Sequence, residues 1–116
     1  HLHEATATLS LDCFVLFSSL ATLFPNEGQS AYAAANRAMA AFGAARAAQA
    51  ETGACHGRTC VLHWPLWAVE GMQMSDAVRS SLGIQALPAP AGFSLLDRLL
   101  RGEQLEYWIA WGRPEA

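Results

Sequence analysis

Asp12 to Phe17 opens with an aspartate and continues as an unbroken apolar run, Cys-Phe-Val-Leu-Phe, the pattern of a β-strand covered on both faces. Pro25-Asn26-Glu27-Gly28 is a turn. From about Gln29 to Ala50 alanine occupies most positions and proline none, which predicts one long helix closed by Thr52-Gly53. Thr59 to Trp64 predicts a second buried strand, stopped by Pro65. Ala68 to Met74 is irregular, with Gly71 a candidate hinge, and Ser75-Asp76 caps a short helix through about Leu82, ended by Gly83. Pro88-Ala89-Pro90 is expected as a linker. Ala91 to Arg101 places Phe93, Leu96, Leu99 and Leu100 on one face of an amphipathic helix, and Leu105 to Trp111 is a third strand. Together with a short helix end over Leu2 to Thr8, this is an α/β pattern, a parallel sheet with flanking helices.

Composition changes that picture in one respect. The chain is 53% hydrophobic and only 15% charged over 116 residues, where an independent domain has roughly a quarter charged. Part of this apolar surface is therefore expected to face other protein. The first residue is His1 and not Met, so the chain is read as cut from something longer. A net charge of −3 without a basic run gives no electrostatic case for nucleic acid, and no apolar stretch reaches the roughly 20 residues of a membrane span. No segment resembles a signal peptide, so a cytoplasmic protein is expected. Cys13, Cys55 and Cys60, an odd number in apolar surroundings, fit reduced thiols.

Candidate chemistry collects at the strand ends, because ligands of open parallel sheets bind beyond the carboxyl ends of the strands. Ser18 and Ser19 lie there on the first strand, and Trp64, Pro65, Leu66 and Trp67 on the second. Tyr32 and Asn36, four residues apart, share a helix face. A phenol can donate a proton to a developing alkoxide, a serine can hydrogen-bond the same oxygen, and an amide can order a water. Each residue alone also has a plainer role, as strand-end cap, packing tyrosine or surface amide; the combination and its spacing favour chemistry.

Phe-Val-Leu-Phe-Ser18-Ser19, then Gly28-Gln-Ser-Ala-Tyr32-Ala-Ala-Ala-Asn36, then Trp64-Pro-Leu-Trp67 and Gly71-Met72 resemble the ketoreductase domain of modular polyketide synthases. The wording of Trp-Pro-Leu-Trp and Glu70-Gly-Met is most like synthases whose acyltransferase acts in trans. Such domains belong to the short-chain dehydrogenase/reductase superfamily. The resemblance implies a Rossmann-like fold and reduction of a β-ketoacyl thioester, held on an acyl carrier protein, by NADPH. It implies Ser19 as the substrate-carbonyl serine, Tyr32 as the proton donor and Asn36 as the third member of the site. It further implies Ser18, Tyr32, Pro65 and Leu66 beside the cofactor, and Trp67, Gly71 and Met72 at the substrate, the last two in a lid over about residues 68–87. Two parts of that family's site are absent from the sequence: there is no Gly-x-Gly-x-x-Gly, and there is no lysine. The chain therefore reads as the carboxyl-terminal part of such a domain, dependent on an amino-terminal half and inactive alone.

Cys55, His56, Cys60 and His63 invite a zinc reading, but on a strand Cys60 and His63 point to opposite faces. His63 is expected either beside the nicotinamide pocket or as a packed core residue, and His1 and His3 are expected in solvent. Trp64 and Trp67 are expected to shape a pocket, Trp108 and Trp111 to be core, and Met72 and Met74 to pack adaptably in the lid. Phe24 stands where one stereochemical class of the family has tryptophan. The competing readings are a non-catalytic element that complements a split synthase, and a superfamily reductase of free substrates.

Overall fold

The structure of the chain, a computed structural model, describes residues 1–20, 30–68 and 86–112. The expected Pro25–Gly28 turn, Phe24, Gly71, Met72, Met74 and the helix from Ser75 lie outside the described residues. In order come α1 (Leu2–Thr6), β1 (Cys13–Ser19), α2 (Ser30–Glu51), β2 (Arg58–Trp64), α3 (Ala89–Leu100) and β3 (Glu106–Trp108). The three strands form one parallel sheet in the order β1-β2-β3. It is the α/β arrangement expected, with helices flanking a parallel sheet.

Register fixes two faces. Ser18 pairs with His63 and Ser19 with Trp64, while His63 also pairs with Trp108. Because side chains alternate along a strand, Phe14, Leu16, Ser18, Thr59, Val61, His63, Glu106 and Trp108 share one face. α2 covers the part of that face that β1 and β2 provide. A Cβ added at Gly43 would come 2.5 Å from Val61 Cγ2 and 3.2 Å from Leu16 Cδ1, so the helix backbone lies almost on the strands. The opposite face carries the core of Cys60, Leu62, Trp64, Leu87 and Ile109, with Val15, Tyr107 and α3's Ala91, Leu95, Leu96 and Leu99 packed against it. Burial pushes the Cys60 thiol above its ordinary range; Arg58 opposes the shift and Cys13 adds to it.

Gly53 ends α2 with φ +82°, the left-handed conformation that glycine adopts without steric cost. Gly53 N donates to Ala50 O and Ala54 N to Gln49 O, the paired bonds of a Schellman cap. Arg46, 1% exposed, then fastens the turn into β2: its guanidinium donates to His56 O, Gly57 O and Thr59 Oγ1 and lies 4.4 Å above the Phe14 ring.

Several expectations need correction. β2 is buried on both faces, but β1 is not, because Phe17 is 52% exposed. The Pro88-Ala89-Pro90 linker is instead the start of α3, whose first turn accepts proline because the missing N–H has no helical partner there. Phe93 lies off the buried face of that helix, at 64% exposure. β3 is three residues long rather than seven, and Trp108 and Trp111 are exposed rather than core. His3 is not free in solvent. Its Nε2 pairs with Gln49 Oε1 at 2.9 Å and its ring meets the edges of Phe14 and Phe42, so α1 docks against α2 and β1. Among the described residues, no helix is long and apolar enough to cross a membrane.

Candidate active site

The carboxyl end of the sheet is where α2 begins. The helix runs antiparallel to the strands, as its contacts display: Arg46, near its end, lies by Phe14 and Thr59, while Gly43, three residues earlier, lies by Leu16 and Val61. From Gly43 back to Asn36 the helix climbs about 10 Å, and back to Tyr32 about 16 Å. From Leu16 to Ser19 the strand spans about 10 Å. Asn36 is therefore level with the end of β1, and Tyr32 stands just beyond it.

The helix presents these two residues differently. Ala33, Asn36, Gly43 and Arg46 are its buried positions, a stripe at helical spacing that faces the sheet. Asn36 is 5% exposed on that stripe, while Tyr32, a turn earlier, is 53% exposed at its rim. Ser18 is 7% exposed on the α2 face, and Ser19 is half-buried with the alternation toward the other face. The structure thus brings Ser18, Ser19, Tyr32 and Asn36 to one end of the molecule. A buried amide, two hydroxyls at a strand end and a phenol open to solvent make an arrangement that can grip a small polar group and pass it a proton.

Pro65 is buried after β2, and Leu66 O accepts from Leu87 N at 2.7 Å, while Ala68 N donates to Leu87 O at 2.8 Å. Trp67 is held away from open solvent: its ring meets Trp64 at 4.8 Å and Phe93 at 5.6 Å and lies against Gly92, which has no side chain to displace it. Trp64 is core, at 4% exposure. Gly71 and Met72 fall outside the described residues. Among the described residues, no group of three or more His, Cys, Asp and Glu is placed to hold a metal ion.

Sequence reading did not find the surroundings of His63. The imidazole is 1% exposed, its Nε2 lies 2.5 Å from Glu106 Oε1, and the Trp108 indole stacks on it at 3.6 Å and 7°. The available signal was the parity of the third strand, which puts Glu106 and Trp108 on the face of His63 once the register is known.

Comparison with known proteins places the chain. The family described as KR domain matches residues 1–69. Polyketide synthase ThaG of Burkholderia thailandensis is 36% identical over 119 residues, covering 99% of this chain and 2% of that protein. Polyketide synthase PksN of Bacillus subtilis is 36% identical over 116 residues, 97% of this chain and 2% of that protein. A crystal structure of a ketoreductase domain from the bacillaene assembly line superimposes with a TM-score of 0.91 at 28% identity, covering 99% of this chain and 28% of that one. The structure of A-type ketoreductases from a modular polyketide synthase superimposes at 0.76 with 33% identity, covering 97% and 23%. The chain belongs to the KR domain family. It spans about 2% of these curated relatives and 28% of the bacillaene domain.

Proposed function

We propose that this chain supplies the serine, tyrosine and asparagine of a polyketide synthase ketoreductase that reduces a β-ketoacyl thioester carried on an acyl carrier protein, in the cytoplasm. The observation that carries the reading is the placement of Tyr32, exposed just beyond the end of β1, with Asn36 level with that end and buried. Ser19 hydrogen-bonds the substrate's β-carbonyl oxygen, and Tyr32 donates its phenolic proton to the alkoxide that forms there. Asn36, one turn on, holds polar groups on the sheet side of Tyr32. The Trp64-Pro-Leu-Trp67 wording and Glu70-Gly-Met support the type in which the acyltransferase acts in trans.

The residues present fit the nicotinamide end of NADPH: Tyr32 at the open rim, Ser18 at the strand end, and Pro65 and Leu66 leaving β2. They do not fit its pyrophosphate, for which the sequence has no glycine-rich turn. When bound, that cofactor supplies the hydride. The lysine that such a site uses to favour the phenolate is absent as well. The catalytic unit is therefore this chain joined to an amino-terminal half carrying both, with Trp67 beside the substrate; the lid expected over about residues 68–87, with Gly71 and Met72, lies mostly outside the described residues.

The reading is tested by following NADPH absorbance with a β-ketoacyl thioester. The 116-residue chain alone is expected to give no ketone-dependent oxidation, and its fusion to a cofactor-binding ketoreductase half is expected to restore it. Turnover by the isolated chain, or none from a folded fusion, would overturn the proposal.

A further inference from the structure

On the α2 side of the sheet's carboxyl end, three side chains hold polar atoms without a hydrogen-bond partner among the described residues, although each is more than nine-tenths buried: Ser18 Oγ, Asn36 Nδ2 and His63 Nδ1, at 7%, 5% and 1% exposure. Trp64 Nε1, likewise unpartnered, belongs to the opposite face. The three come from three elements, β1, α2 and β2, and share one face of the sheet. Ser18 and His63 are register partners on adjacent strands. Asn36 lies on the sheet-facing stripe of α2, two turns before Gly43, which itself sits over Leu16 and Val61. Protein interiors seldom leave such groups unpaired, because each has given up its bonds to water.

Their donor and acceptor roles are complementary. With Glu106 Oε1 accepting from His63 Nε2–H, the Nε2–H tautomer leaves the Nδ1 lone pair as an acceptor. Asn36 Nδ2 can only donate, and the Ser18 hydroxyl can do either. One acceptor, one donor and one hydroxyl match the bonds of a single water, which typically makes about three when buried. Adjacent strands lie about 4.8 Å apart. Two water-bridged atoms stand about 4.5–5.5 Å apart, within reach of side chains on neighbouring strands that do not bond directly.

We propose that Ser18, Asn36 and His63 form a binding site for one buried water, and that Glu106 sets it by fixing the imidazole tautomer. The water receives an N–H from Asn36, donates to His63 Nδ1 and shares its third bond with Ser18. Trp108, flat against the imidazole, shields the ring from bulk solvent. Glu106 and His63 are thereby positioning residues for the Asn36 amide. This site stands whether or not the chain serves a reductase.

The test uses the 116-residue chain, 15N-labelled, at pH 8. Two-bond proton–nitrogen correlations should report the Nε2–H tautomer of His63, and the Asn36 carboxamide should give a cross-relaxation peak to a long-lived water. Glu106→Ala should shift the ring toward the Nδ1–H tautomer and remove the water peak while the backbone spectrum stays dispersed. Ser18→Ala, which leaves Glu106 in place, should keep the tautomer and weaken the water peak. An Nδ1–H tautomer in the parent chain, or an Asn36 carboxamide with no water peak, would overturn the site. A Glu106→Ala variant with both signals unchanged would overturn the role of Glu106.

Discussion

Gly43 decides how near α2 lies to the sheet. An alanine there would gain about 1 kcal/mol of helix propensity. Its methyl would meet Val61 Cγ2 at 2.5 Å, on a central-strand residue that is 1% exposed and β-branched, with no room to turn aside. Overpacking of this kind costs about 1–3 kcal/mol, so the steric term wins. Gly43→Ala is expected to destabilise the fold by about 1–2 kcal/mol in urea unfolding, and Val61→Ala in the same chain to recover part of it. An unchanged midpoint would mean that the helix stands off the strands. In the sequence Gly43 is one small residue in an alanine run. The strand-end serines and the Tyr32–Asn36 spacing were legible because they depend on local periodicity alone. The exposure of Trp108 was not, because it depends on what covers the third strand.

The joint between α2 and β2 rests on Arg46. Its guanidinium satisfies two carbonyls and a hydroxyl at 2.8–3.0 Å, and Cys55 Sγ donates to its backbone oxygen at 3.7 Å. Arg46→Met keeps much of the bulk but leaves buried acceptors unpaired, each at about 1–3 kcal/mol. A loss of about 3 kcal/mol or more is expected in chemical denaturation, with earlier hydrogen exchange at Gly57 to Thr59. A loss within experimental error would remove the arginine from the account of this turn. The elements themselves were read well where hydrophobic pattern and helix propensity agree, as in α2 and β2. The ends were read poorly at α3, where Pro88-Ala89-Pro90 has a loop composition yet also suits a first helical turn. β3 was read too long because its apolar residues continue past the point where β2 offers partners.

At the scale of the molecule, the described residues form a three-stranded parallel sheet, with the candidate site at its carboxyl end. Leu2, Leu9, Phe17, Phe93, Trp108 and Trp111 are exposed, in keeping with the low charged fraction of the sequence. A parallel sheet usually has both faces covered, so exposed aromatics at its margins suit a surface that other protein covers. On this scale the sequence alone carried the α/β class and the motifs that match the KR domain family, because those are order and spacing. The buried polar group of Ser18, Asn36 and His63 was invisible to it, since only the register brings β1 and β2 into line.

The central claim is that Tyr32 delivers the proton in ketone reduction. The direct measurement is the rate of β-ketoacyl thioester reduction by the chain joined to its cofactor-binding half, parent against Tyr32→Phe. The substitution removes one hydroxyl from a side chain that is 53% exposed, so unfolding midpoints should coincide. The account predicts a rate lower by about 10²–10⁴-fold, the usual worth of a positioned proton donor. Reduction at the parental rate would contradict it.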